Sequence, residues 1–273
     1  MRIRIVDAFT DRPFSGNPAG VVLLDSDAFP SAGLLQQVAA EVNLSETAFT
    51  HPLAPGGEAD WALRWFTPTT EVDLCGHATL ATAHVLHTTG AAEGSVRFAT
   101  RSGVLTTAAR PGSAYTMDFP TSRLVPEPAP AGLAEALGAE PLAVLDTGEH
   151  IGDLLVELDD EATVRGLTPD FEALTRCSRR GVIVTAAAED PTLGYDFVSR
   201  GFFPRVGIDE DPVTGSAHTA LAPFWSARFG RDALTGLQGS ARTGLVHTEL
   251  RGDRTLLTGN AVTVIDGELL AGL

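Results

Sequence analysis

Two segments of this 273-residue chain repeat one pattern, each in its own half. Arg64-Trp65-Phe66-Thr67-Pro68 leads to Cys75, and Arg200-Gly201-Phe202-Phe203-Pro204 leads to Asp211 at the same spacing. Each copy is Arg-x-Phe-x-Pro followed by a group that can hold or release a proton. A glycine-containing, helix-like stretch follows each: Cys75-Gly76-His77-Ala78-Thr79, and Asp211 through His218. Free N–H groups and the helix dipole at such starts bind carboxylates. Gly76 and Gly215 would let a ligand approach the backbone closely. Ordinary capping, with Asp211 and Ser216 as N-cap residues, is the bland alternative. Two such starts at matching places in a repeat favour function, and suggest a cleft that grips a small anion from both sides.

Other residues could move protons. Glu46 stands at the mouth of the apolar segment Thr47-Ala48-Phe49. A carboxyl enclosed by apolar groups keeps its proton more readily, as general acid–base work requires. From spacing alone, a solvated loop acid is the stronger reading. His77 is a base, a relay or a satisfied core histidine. Cys75 is either a thiolate base favoured by its helix start or an inert buried thiol. His77, His84 and His87 resemble a metal-ligand spacing only loosely, Cys75 does not share their helix face well, and no metal site is expected.

These residues need elements to hold them. Strands are expected at 2–8 and 20–24, around a turn at Ser15-Gly16-Asn17-Pro18, and at 61–67. Helices are expected at 31–42, from Leu34, Leu35, Val38, Ala39 and Val42, and from Gly76 to His87. Strands follow at 95–108 and 114–119, and the Pro- and Ala-rich stretch 123–132 reads as a linker. The second half offers strands at 142–147, 152–158, 181–187 and 195–204. A helix is expected from Gly215 to Phe229, kinked or interrupted at Pro223. Strands at 244–249, 254–257 and 261–265 close the chain. Many strands, few helices and no regular βαβ alternation indicate an α+β fold with antiparallel or mixed sheets.

Composition narrows the function. A net charge of -16 argues against nucleic-acid partners. Two cysteines, Cys75 and Cys177, make no disulfide framework, which fits a reducing cytoplasm. No apolar run reaches membrane-spanning length, so no membrane association is expected. No dinucleotide, Walker, nucleophile-elbow or zinc-protease motif occurs.

Taken in order, the motifs resemble the PhzF-like phenazine-biosynthesis isomerases, relatives of diaminopimelate epimerase. They are Val6-Asp7-Ala8-Phe9-Thr10, Phe14-Ser15-Gly16-Asn17-Pro18, Asn43-Leu44-Ser45-Glu46-Thr47, the first Arg-x-Phe-x-Pro copy, Cys75-Gly76-His77-Ala78-Thr79, Thr100-Arg101-Ser102-Gly103, Met117-Asp118-Phe119-Pro120 and Asp211 through His218. The resemblance implies two pseudo-symmetric domains, each a sheet wrapped around a central helix: 1–115, completed by 261–273, and 116–260. It implies a site in the cleft between them, no cofactor and a homodimer. It implies that Glu46, His77 and Asp211 are catalytic and that Ser45, Gly76, Gly215 and Ser216 bind substrate. In the namesake enzymes a glutamate moves a proton between carbons of trans-2,3-dihydro-3-hydroxyanthranilate in secondary metabolism that makes antibiotics. The sequence departs at Cys75, where those enzymes carry alanine. Epimerase relatives use two cysteines as paired bases, so Cys75 with Asp211 keeps a two-base amino-acid epimerase or racemase open. A non-catalytic small-metabolite binding protein is the remaining alternative.

Overall fold

The computed structural model describes residues 1–149 and 151–270. Residues 271–273 of the expected closing segment lie outside the described residues. The chain forms two compact units: Met1–Asp118 with the returning segment that starts at Thr258, and Phe119–Leu257.

In the first unit Arg2–Ala8 pairs antiparallel with Asn17–Leu23, which pairs parallel with Glu46–Pro52. Glu46–Pro52 is antiparallel to Trp61–Phe66, which is parallel to Ser95–Thr100, itself antiparallel to Gly103–Arg110. Gly103–Arg110 pairs with Ala114–Pro120. The long strand Arg254–Glu268 pairs with both Ala114–Pro120 and Arg2–Ala8, so the sheet closes into a ring. A parallel pair needs a crossover. Helix Ala32–Val42 supplies the first, started by Ser31, whose side chain accepts from the Leu34 N–H. Helix Gly76–Thr88 supplies the second.

The second unit repeats the order. Ala143–Asp146 is antiparallel to Asp153–Glu157, which is parallel to Gly181–Ala187, which is antiparallel to Phe197–Phe203. Phe197–Phe203 is parallel to Ala233–Gln238, itself antiparallel to Gly244–Arg251. Short helices Glu161–Gly166 and Phe171–Leu174 bridge the first parallel pair, and helix Gly215–Phe229 bridges the second. The two Arg-x-Phe-x-Pro copies thus lie on corresponding strands, and Cys75 and Asp211 precede corresponding helices.

Helices Gly76–Thr88 and Gly215–Phe229 are buried on nearly all sides, His77 through Leu86 in the first and most of the second. A helix without an exposed face must be small and internally satisfied. Ala, Thr and Gly meet the first need. The Thr79 and Thr82 hydroxyls donate to their own helix at Cys75 O (2.6 Å) and Ala78 O (2.7 Å).

Three expectations change. Pro223 does not interrupt its helix. It removes the N–H that would bond the Thr219 carbonyl, and the Ser122 N–H takes that carbonyl at 3.2 Å. The closing strands at 254–257 and 261–265 are one strand, Arg254–Glu268. Strands Ile208–Asp211 and Ala233–Gln238 escaped the sequence reading. The first is acidic. The second contains Gly236, where a Cβ would lie 2.5 Å from the Phe197 ring, so packing dictates the residue that spoils the strand pattern.

Candidate active site

In the first unit three sequence-predicted residues converge. Glu46 begins the strand Glu46–Pro52, and Cys75 and His77 begin the buried helix. Glu46 Oε2 lies 3.2 Å from His77 Nε2, with both side chains buried. The approach is too oblique for a hydrogen bond, and neither atom has another hydrogen-bond partner among the described residues. The enclosure of Glu46 is therefore not simply apolar: an imidazole faces it.

The other nitrogen of the ring is also engaged. His77 Nδ1 lies 3.3 Å from Asn17 Nδ2 and 3.5 Å from Cys75 Sγ. In the neutral ring the Asn17 amide donates to Nδ1 and the ring proton sits on Nε2, toward Glu46; in the cation Nδ1 is a donor too, and the Cys75 sulfur is the group beside it that can accept. Burial opposes a charged His77. The Cys75 sulfur and the Glu46 carboxylate outweigh it and raise the His77 pKa well above the ordinary value. Burial also pushes the Cys75 thiol up to about 11, with the Glu46 charge adding to the effect. Near neutral pH the sulfur keeps its proton, so Glu46 is the partner that sustains the imidazolium.

Glu46, Cys75 and His77 offer donor atoms within 4.8 Å of one another, the spacing of a three-ligand metal cup. The imidazole, however, stands between the sulfur on its Nδ1 side and the carboxylate on its Nε2 side. That order spreads the three donors along a line rather than aiming them at one ion. His84 and His87 do not join them. His84 contacts Thr263 Oγ1 (3.0 Å) and Tyr115, and His87 contacts the Ala83 and Gly94 carbonyls.

In the second unit Asp211 ends the strand Ile208–Asp211 and is buried. The Thr214 hydroxyl donates to Asp211 Oδ2 at 2.5 Å. Gln238 locks this turn: its amide nitrogen donates to Asp211 O (2.8 Å) and its carbonyl accepts from Thr214 N–H (2.8 Å). The capping alternative for Asp211 and Ser216 fails here. Thr214 is the N-cap residue, Ser216 lies inside the first turn, and no side chain caps this helix. The helix behind Cys75 also lacks a side-chain cap. Both starts keep N–H groups available for an anion.

Asn17, Thr214 and Gln238 were not singled out in the sequence. Asn17 lies inside the Phe14–Pro18 motif and Thr214 inside the Asp211–His218 motif, so both were findable. Gln238 carries no local signal.

Behind Ser216, Arg180 Nη2 donates to Ser216 Oγ at 3.1 Å, and Arg180 Nη1 lies 3.5 Å from Asp153. Burial pushes the Asp153 carboxyl up to about 6, against the opposing pull of Arg180. Between about pH 4 and 6 the folded chain holds a proton that the unfolded chain has released, so this contribution to stability falls as pH rises. Asp153→Asn is expected to gain about 3 kcal/mol on its parent between pH 4 and pH 7. Urea denaturation at both pH values measures it; an unchanged difference would return the carboxyl to its ordinary value.

Comparison with known proteins gives the family. The family model described as phenazine biosynthesis-like protein (PhzC-PhzF) matches residues 6–267. A Pseudomonas aeruginosa protein named as an uncharacterized isomerase is 50% identical over 265 residues, covering 97% of this chain and 96% of its own. The crystal structure of a PhzF family phenazine biosynthesis protein from Enterococcus faecalis is 41% identical, with a TM-score of 0.90 over 99% of both chains. A hydroxyproline epimerase from Agrobacterium vitis, solved with trans-4-hydroxy-L-proline, has a TM-score of 0.59 at 14% identity, covering 98% of this chain and 91% of its own. That last likeness is one of fold alone. Among the described residues no helix is long and apolar enough to cross a membrane.

Proposed function

The chain belongs to the phenazine biosynthesis-like family, whose members here include named isomerases, and on that premise we propose a cofactor-independent isomerase that moves a proton between carbons of a small carboxylate-bearing substrate. By family resemblance the substrate is trans-2,3-dihydro-3-hydroxyanthranilate or a related unsaturated amino acid. The observation that carries the reading is the buried Glu46–His77 contact at 3.2 Å.

The Glu46 carboxylate removes a proton from an activated carbon. The C–H bonding pair moves into the adjoining π-system, and the carbon at its far end takes the same proton back from Glu46. The resulting enol becomes the ketone by moving its hydroxyl proton to carbon, so atoms and electrons balance. The His77 cation steadies the carboxylate and the negative charge that develops between the two proton transfers. The family motif assigns Asp211 to orienting the substrate, and Ser45, Gly76, Gly215 and Ser216 to binding its polar groups. Like the homodimer, these assignments rest on the resemblance; the cytoplasmic setting rests on the two cysteines, Cys75 and Cys177, which make no disulfide framework.

The corresponding positions of Cys75 and Asp211 favour one second reading, a two-base epimerase. It requires a thiolate, and a thiol raised to about 11 is a poor source of one. Proton NMR with trans-2,3-dihydro-3-hydroxyanthranilate in D₂O tests the choice. The isomerase reading expects conversion, and expects Cys75→Ala to stay within about tenfold of the parent, since no proton step uses the sulfur. Loss of activity in Cys75→Ala, together with exchange of an amino-acid α-proton, would establish the epimerase instead.

A further inference from the structure

Ser216 lies in the first turn of helix Gly215–Phe229, and its oxygen is already an acceptor. Arg180 Nη2 donates to it over 3.1 Å. A hydroxyl has one proton to give. Among the described residues no group accepts that proton from Ser216 Oγ. The neighbouring Thr214 hydroxyl is committed differently, because its proton goes to Asp211. Ser216 is half-buried, so this proton can go to a ligand in place of solvent, and the guanidinium on its oxygen makes the proton more acidic and the donor stronger.

Arg180 is itself fixed. Its Nη1 donates to the Ile151 carbonyl at 3.1 Å. The fully buried Asp153 side chain lies 3.5 Å away. Its guanidinium carbon sits 5.0 Å from the centre of the Phe203 ring. That ring has its seat because residue 181 is glycine: a Cβ there would meet a Phe203 ring carbon at 2.1 Å. The second Arg-x-Phe-x-Pro copy thus supplies, in Phe203, the shelf on which Arg180 lies. The first copy has Thr67 at that position and offers no aromatic shelf.

We propose that Arg180 is a positioning residue that fixes Ser216 as a hydrogen-bond donor to the substrate carboxylate, so that the chain selects the acid over its amide or ester. An ionised acceptor profits most from a polarised donor beside a cation, whereas a neutral amide carbonyl profits little. The inference rests on the isomerase reading only in taking a carboxylate as the ligand.

The test uses anthranilate, a stable aromatic amino-carboxylate that cannot be isomerised, titrated calorimetrically into the whole chain, with anthranilamide as control. Parent protein is expected to bind anthranilate in preference to the amide. Arg180→Met is expected to weaken anthranilate about tenfold, the loss of one charge-assisted hydrogen bond, and to leave the amide nearly unchanged. Arg180→Lys should recover part of the loss. In a Ser216→Ala background, Arg180→Met should have no further effect. With a turned-over substrate, KM should rise by a similar factor while kcat changes little. Additive losses from the two substitutions, equal weakening of acid and amide, or a parent that does not bind anthranilate would each overturn the inference. Arg180-dependent anthranilate binding without any Glu46-dependent turnover would leave it standing and remove the isomerase reading.

Discussion

Glu46→Gln is expected to lower turnover by about 10³-fold while leaving the fold intact, within the range for removing a positioned general base. The amide matches the carboxylate in size but cannot take a proton from carbon. His77 Nε2, 3.2 Å from the removed charge, also loses the partner that keeps its ring cationic, so the substitution removes both the base and the neighbouring positive charge. Parent protein in D₂O should show conversion of trans-2,3-dihydro-3-hydroxyanthranilate by NMR; the variant should show neither product nor deuterium at carbon. The two proteins should share a circular dichroism spectrum and melting temperature within a few degrees. Full activity in the variant would sink the proposed mechanism and shift attention to Cys75 and Asp211.

Arg200→Met is expected to cost about 3–5 kcal/mol of stability, the loss that follows breaking a largely buried ion pair from one side. Arg200 Nε and Nη2 grip Glu210 at 2.8 and 2.9 Å. Its remaining terminal nitrogen donates to the Leu167 carbonyl at 2.8 Å and the Val164 carbonyl at 3.2 Å, closing the end of helix Glu161–Gly166. The guanidinium also lies 5.0 Å from the Phe202 ring centre. Methionine fills some of the space and satisfies none of these acceptors. Arg200→Lys keeps the charge but loses the fork, and should recover less than half of the deficit. Denaturant titration of the three proteins measures the series. A loss below about 1 kcal/mol would mean that the pair contributes no more than an exposed salt bridge.

The corresponding arginine of the first copy behaves alike. Arg64 grips Glu71 at 2.6 and 2.7 Å and lies 5.1 Å from the Phe66 ring centre. This explains what was legible in the repeat. Arginine, phenylalanine and proline were visible at fixed spacing, and they pin the short strands Glu71–Val72 and Ile208–Asp211 that lead to the two helices. The glutamates they grip were not legible, because Glu71 and Glu210 fall at different distances from their arginines.

The two long buried helices read well. Gly76–Thr88 and Gly215–Phe229 are local features with strong start signals, and their ends were found to within a residue. Glu46 could be singled out only by resemblance, since nothing in Ser45-Glu46-Thr47 announces that a parallel pairing will carry it to His77. Gln238 and Asp153 were invisible because their roles depend on partners from distant strands. Long-range pairing turns ordinary residues into positioning ones, and no local pattern records it.

The ring of the first unit is closed by Arg254–Glu268, a strand near the end of the chain. Synthesis is vectorial, so this has a temporal consequence. As the chain leaves the ribosome, Glu46, Cys75 and His77 emerge early on a sheet that lacks its last strand. Phe119–Leu257 emerges with its own strand order already complete. The half made second can therefore finish first, and the proton-handling cluster made first must wait for Arg254–Glu268 before its walls close.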